Sequence, residues 1–305
     1  MSLTSCGSKA SLLSSSGRNA TFSIDPDGPF SLTAARSSVM RWAPVARYGH
    51  DDGPLVIGAI ADDDLAPLAI TATQERPDGP VDITTTGTGS PERARAQAAR
   101  ILSLDHSGAG LAAVAGHDPA VGAVLAAHPG RRPILFPSVY EAAAWAVISP
   151  RIGKARAATL TRRIAAEHGT RTAGVDCFPT PAALLGIEAI PGLPAEKVRR
   201  LHGVARAALD GELDADRLRA LGPDGARAAL RRVRGIGEFW ASGIWLRACG
   251  VVDEWPEEPL ATAALARLHG RDPADYDDPA VLGAATAPLA PYRTWIAFLL
   301  RITQA

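Results

Sequence analysis

Residues 252–261 read VDEWPEEPLA, and shortly upstream residues 235–237 read Gly-Ile-Gly. These two stretches hold the residue types best able to do chemistry. A carboxylate stabilises positive charge as it develops, or orients an attacking water. Four acids, Asp253, Glu254, Glu257 and Glu258, crowd around Trp255 and two prolines. Two glycines flanking an apolar residue permit a tight turn with outward-facing N–H groups at a helix N-terminus, which suits a phosphate. Each stretch also has a plainer reading. Acids just before a helix favour its positive end by about 0.3–1 kcal/mol, and Gly-Ile-Gly between two helices also serves as a simple connection.

Other chemistries find no support. There is no nucleotide-binding glycine loop, zinc-ligand spacing or nucleophile elbow. Cys6, Cys177 and Cys249 are too widely spaced for a metal cluster or a disulfide framework, so a reducing, cytoplasmic setting is expected. No apolar run is long enough to span a membrane, so no membrane partner is expected. The formal net charge is zero, but its distribution is uneven. Residues 50–92 carry nine acids against Arg76 alone, and residues 151–234 carry sixteen Arg/Lys against nine Asp/Glu. A neutral chain built this way can present a basic face to a polyanion; equally, arginines can simply solvate helix surfaces.

Residues 1–20 are Ser/Gly-rich and are expected to be a disordered leader. Residues 21–104 form a small α+β domain. The runs GPLVIGAI, LAPLAITATQE and VDITTTG predict strands, with RPDGP as a turn, and PERARAQAARILSL predicts a helix capped by Ser90. From 105 to 305 an all-α domain is predicted, because helical apolar spacing recurs in short segments that end at Gly or Pro. Within it one helix ends near Arg232 and another begins at Glu238, its apolar face formed by Trp240, Ile244, Trp245 and Cys249.

This stretch resembles the helix-hairpin-helix of the DNA glycosylase superfamily, and most of all the bacterial 3-methyladenine DNA glycosylase II group. Leu230, Gly235-Ile236-Gly237, Phe239-Trp240-Ala241, Leu246-Arg247 and Asp253-Glu254-Trp255-Pro256 fall in the family's order. Upstream, SVYEAAAWAVISPRIGKARAATLTRRIAAEHG is similar to the helix pair that opens the family's helical domain, and PYRTWIAFLLRI is similar to its end. The resemblance covers about residues 90–305 well and 21–89 more loosely.

The resemblance implies an α+β N-terminal domain followed by a helix-hairpin-helix glycosylase-type helical domain. It implies a monomer acting on double-stranded DNA that contains damaged bases. The chain would flip alkylated purines of the 3-methyladenine type, excise them and leave an abasic site. DNA phosphate would bind at Gly235, Ile236 and Gly237. No cofactor would be required, although the carbonyls of Arg231, Val233 and Gly235 would hold a structural monovalent cation. Arg151 occupies the wedge position, and a plain phosphate contact is the alternative for it. Trp145, Phe239, Trp240 and Trp255 are the candidates for the base pocket, with ordinary core packing as the alternative. Bifunctional relatives carry a Schiff-base lysine where this chain has Phe239, so strand cleavage is not expected.

The sequence departs from the family where it matters most. Counting without gaps from Gly235, the family's catalytic aspartate falls on Pro259, beside Glu258 and Glu257. Three outcomes follow. Glu258 substitutes for the aspartate; or chemistry proceeds with little carboxylate help, since a cationic base already leaves readily; or the chain is an inactive damaged-DNA binding protein on the same fold.

Overall fold

The computed structural model describes residues 18–41 and 53–303, with the side chains of residues 38–41 left aside. Most of the expected leader, and Cys6 with it, lies outside the described residues. Residues 18–20 of that leader are instead part of a strand, since β1 is Arg18–Ile24. After it come α1 (Leu32–Arg41), β2 (Leu55–Ile60), β3 (Pro67–Gln74), β4 (Val81–Gly87) and α2 (Pro91–Ile101). The four strands form an antiparallel sheet in the order β1-β4-β3-β2. In β4, Val81, Ile83 and Thr85 are buried and alternate with Asp82 and Thr84, the period of a strand with one face on a core. Asp78 takes φ 60° in the turn between β3 and β4. Ser90 caps α2 by accepting from the Arg93 amide at 3.3 Å, with Pro91 next in line.

Helices follow: α3 (Val114–His117), α4 (Pro119–Ala127), α5 (Val139–Ile148) and α6 (Lys154–His168). A short hairpin, β5 (Thr170–Thr172) and β6 (Val175–Cys177), then interrupts the helical run. Sequence patterning missed it because each strand is only three residues long. Its turn uses Ala173 and Gly174 at φ 44° and 84°. The hairpin packs on β2 and β3. Gly58 makes this possible, since a Cβ there would lie 2.7 Å from the Asp176 carbonyl oxygen. Next come α7 (Pro181–Leu185), α8 (Ala195–Leu209), α9 (Ala215–Ala220), α10 (Gly222–Arg232), α11 (Glu238–Ala248), α12 (Pro259–Leu268), α13 (Pro279–Thr286) and α14 (Arg293–Thr303).

Helix α5 is the centre of the molecule. All ten of its residues are buried, as expected of a helix apolar on every side. One apolar cluster joins Ile57, Ile70 and Ile83 of the sheet to Tyr140 and Trp145 of α5 and Ile244 of α11. The one acid of α5, Glu141, accepts from the Ile60 amide (3.0 Å) and the Ser138 hydroxyl (3.1 Å), so its charge is not left bare in the core. A second cluster gathers Val121 and Val124 of α4, Leu265 of α12, and Trp295 and Leu299 of α14.

Two arginines that composition would place on the surface are buried. Arg132 donates to the carbonyls of Asp27, Pro29, Ser103 and His106 at 2.6–3.1 Å, between the rings of Phe30 and Trp295. Arg100 pairs with Asp62 at 2.7 Å and donates to Ala248 O at 2.6 Å, which fixes the end of α11 to the sheet side.

Candidate active site

The hairpin between α10 and α11 is built by its glycines. Gly235 sits at φ 102°, which side-chain-bearing residues rarely adopt, and a Cβ there would lie 2.9 Å from Arg200 Cδ. Ile236 is buried, and its amide donates to the Val233 carbonyl at 3.0 Å. Gly237 is the N-cap of α11, and no side chain caps that end. Nothing lies within 4 Å of where its Cβ would be, and the positive end of the helix dipole lies here. Nearby, Glu196 binds Arg199, Arg200 and Arg234 at 2.7–3.2 Å. Arg199 and then Arg200 hold its carboxyl below the usual range.

The four acids of 252–261 part company in space. Asp253 takes a two-pronged grip on Arg293, at 2.7 and 2.9 Å. Glu254 accepts from Trp245 Nε1 at 3.0 Å and pairs with Arg227. Both acids thereby tie the loop to neighbouring helices. Thr294 completes the tie, donating its amide to Val252 O (2.9 Å) and its hydroxyl to Glu254 O (2.7 Å). Only Glu257 and Glu258 line the cleft that opens between α5, α11, α12 and α14.

Pro259 is the first residue of α12, where its missing N–H is no loss, and it holds Glu258 extended at φ −130°, ψ 111°. Glu258 is the N-cap, yet its carboxylate makes no bond to the helix it precedes. It turns instead to two guanidiniums. Oε2 accepts from Arg247 Nη2 at 2.8 Å and Oε1 pairs with Arg301 Nε. The three side chains are 11%, 18% and 15% exposed, so this is a largely buried triad in the lining of the cleft. Burial, and secondarily the nearby Arg301, pull the Arg247 guanidinium below its ordinary range against the pull of Glu258.

The cleft has a volume of about 760 Å³, within the range of small-molecule sites. Trp145, Phe239 and Trp240 line it. Trp145 is 5% exposed, while Phe239 is 55% exposed and meets Trp240 edge to face with centroids 5.4 Å apart. Trp255, also expected in the pocket, is not among the residues lining it. Its ring packs on the second core cluster and Nε1 donates to Thr262 at 3.1 Å. The loop position that suggested an accessible ring is pulled inward by that packing.

Arg151 is exposed on the loop between α5 and α6, at φ 61°. Lys197 pins this loop, donating to Ile148 O at 2.6 Å and Pro150 O at 2.7 Å. The carbonyls of Arg231, Val233 and Gly235 lie at the C-terminal end of α10 and in the turn after it, where the helix dipole is negative. Cleft residues that escaped sequence reasoning include Lys154, Arg301 and Ser149, whose hydroxyl is buried without a partner among the described residues. A partner for Arg301 could not be inferred, because it lies 43 positions from Glu258 in the chain.

Neither a family model nor a curated protein matches the sequence. Solved structures do match. A 3-methyladenine DNA glycosylase from Archaeoglobus fulgidus superposes with a TM-score of 0.72 at 20% identity, covering 92% of this chain and 97% of that one. An 8-oxoguanine glycosylase/lyase from Clostridium acetobutylicum, in complex with double-stranded DNA, gives 0.64 at 14% identity, over 91% and 96% of the two chains. A DNA-3-methyladenine glycosidase from Bacillus halodurans gives 0.50 at 17% identity, over 62% and 86%. The fold of this chain is that of the helix-hairpin-helix DNA glycosylases.

Proposed function

We propose that the chain is a monofunctional DNA glycosylase of base excision repair, which flips alkylated purines out of duplex DNA and hydrolyses their N-glycosidic bond to leave an abasic site. The observation that carries this reading is Glu258, a largely buried carboxylate lining an aromatic-lined cleft that the hairpin helix also lines. Reaching a glycosidic bond requires taking the base out of the stack. The amides around Gly235, Ile236 and Gly237 would hold a backbone phosphate at the cleft mouth, and Arg151 would fill the gap left in the duplex. Trp145, Phe239 and Trp240 would then clasp the base.

Glu258 faces the sugar in this scheme. As the C1′–N bond lengthens, positive charge grows on the sugar ring, and a preorganised carboxylate stabilises it without reorganising. Arg247 and Arg301 would hold that carboxylate in place. Phe239 stands where a Schiff-base lysine would be needed, so the product would be an abasic site with an intact strand. A monovalent cation at the carbonyls of Arg231, Val233 and Gly235 fits the chemistry of those hard, neutral oxygens and would add positive charge behind the phosphate. The chain would work as a cytoplasmic or nucleoid monomer. No described helix is long and apolar enough to cross a membrane.

The test is release of free base from methylated duplex DNA by the full-length protein. Detection of 3-methyladenine with abasic sites in equal number is the expected result. Binding to damaged duplex without release would favour a binding protein on the same fold instead.

A further inference from the structure

The excess of Arg and Lys over residues 151–234 is not spread evenly over helix surfaces. Arg163 pairs with Glu167 at 3.7 Å and Arg171 with Asp176 at 2.8 Å, each cation with its own acid. Beside the α10–α11 hairpin the pattern changes. There one carboxylate, Glu196 in the first turn of α8, serves three arginines. Its Oε2 accepts from Arg199 Nε and Nη2 at 3.1 and 2.7 Å. Its Oε1 accepts from Arg200 Nε and Arg234 Nη2 at 3.0 and 3.2 Å. That is about all a carboxylate can accept, and a single guanidinium already offers more donors. Most donors of the three arginines therefore remain for another acceptor. The side chains of Arg199 and Arg234 are 64% and 75% exposed, so an acceptor from solution can reach them.

The cluster adjoins the hairpin. Arg234 directly precedes Gly235 in the chain, and Arg200 Cδ lies 2.9 Å from where a Cβ on Gly235 would be. Burial, then the positive charge of Arg200 and Arg151, pulls the Lys197 ammonium below its usual range, which marks the ground beside the cluster as positive too. Folding gives no reason for such crowding. Exposed ion pairs add little stability, and like charges brought together oppose it. An external anion does give a reason. A guanidinium fork matches two oxygens of a phosphate, and Glu196 already holds the forks of Arg199 and Arg234 on one side of the hairpin.

We propose that Arg199 and Arg234 bind a backbone phosphate of duplex DNA, next to the one held by the hairpin amides, with Glu196 and Arg200 positioning the two forks beforehand. A backbone phosphate carries no information about sequence or damage. This site therefore holds undamaged and damaged duplex alike, apart from the cleft that receives the base. The inference shares duplex DNA with the glycosylase reading above but none of its chemistry.

The experiment measures binding of the full-length protein to an undamaged duplex, and to the same duplex after methylation, by fluorescence anisotropy over a range of sodium chloride concentrations. The logarithm of the wild-type binding constant should fall linearly with the logarithm of salt. Arg199→Gln combined with Arg234→Gln should flatten that slope by about 1, the value of one phosphate contact, and weaken binding about 10-fold at about 0.1 M salt, equally on both duplexes. Arg199→Lys combined with Arg234→Lys keeps the charge and should retain most of the slope. Arg171→Gln combined with Arg217→Gln removes the same charge elsewhere and should leave the slope unchanged. Melting curves confirm that the variants are folded. An unchanged slope in the Arg199/Arg234 glutamine variant would overturn the inference. So would an equal flattening in the Arg171/Arg217 variant, which would reduce the effect to net charge. Base release plays no part in this readout, so a wild type that binds duplex but releases no base would refute the glycosylase reading alone.

Discussion

Replacing Glu258 with Gln tests the centre of the proposal, because the amide keeps the shape and removes the charge. A sugar cation about 4 Å from the carboxylate would gain about 4 kcal/mol at an effective dielectric constant of about 20. At 1.36 kcal/mol per decade that is about 10³ in rate. Arg247 and Arg301, both bound to this carboxylate, offset part of the attraction. The expected loss is therefore about 10²–10³, the range seen when one preorganised group is removed from a transition state. The same change leaves two largely buried guanidiniums facing a neutral amide. Breaking a buried pair by removing one partner costs about 3–5 kcal/mol, and the 11–18% exposure of these side chains places the cost at the lower end. The melting temperature should fall by roughly 5–10 °C. The assay is single-turnover release from methylated duplex at about 25 °C with enzyme in excess, so that binding does not limit the rate, and with circular dichroism as the check on folding. Glu257→Gln serves as the companion, since Glu257 is exposed and forms no ion pair among the described residues; it should stay within about three-fold of wild type. A Glu258→Gln rate within three-fold of wild type would refute the catalytic assignment. So would a loss matched entirely by weaker DNA binding.

Three further outcomes are expected. Gly237→Val should weaken duplex binding about ten-fold or more while lowering the melting temperature by only a few degrees, because no protein atom lies within 4 Å of the added Cβ whereas the proposed phosphate would crowd it; wild-type affinity should also fall steeply with salt, and a flat salt response would remove the phosphate contacts. Borohydride treatment during turnover should trap no protein–DNA adduct, because Phe239 cannot form an imine; an adduct lost in Lys154→Ala would instead assign lyase chemistry to the lysine that lines the cleft. The Arg293 hydrogen bond holds the Asp253 carboxyl below its usual range, so this pair adds stability above the unfolded pKa of about 4 and loses it as pH falls through the lower folded value. Thermal melts of wild type and Asp253→Asn should therefore differ by a constant gap above about pH 4 that closes in more acid solution, and a gap unchanged across the acid range would contradict the pairing.

The helices were legible because their signals are local. Ser90 with Pro91, and Gly235 with Gly237, each mark a boundary through backbone chemistry that acts within a few residues. The β5–β6 hairpin was not legible, because three-residue strands leave no period to read and Gly58, which admits them, lies over a hundred residues away. The buried arginines were hidden for a related reason. Arginine is exposed by default, and what buries Arg132 is a set of four carbonyls brought together only by the finished fold.

The same contrast decides the acidic stretch. Counting residues from the hairpin put Pro259 in the family's aspartate seat, but counting assumes that the loop between two helices has a fixed length. What positions a carboxylate is where the next helix starts, and Pro259 supplies that start itself. A proline at the first helical position forces the residue before it into extended backbone, and that residue is Glu258. The proline that seemed to displace the acid is therefore part of what aims it. Which of the four acids can reach substrate then follows from their partners rather than their order. Asp253 and Glu254 bind side chains that hold the loop in place, and Glu258 binds the two that share its cleft. Under the proposed function, an acid whose partners are structural is held away from the reaction, whereas one paired inside the cleft is held ready for it.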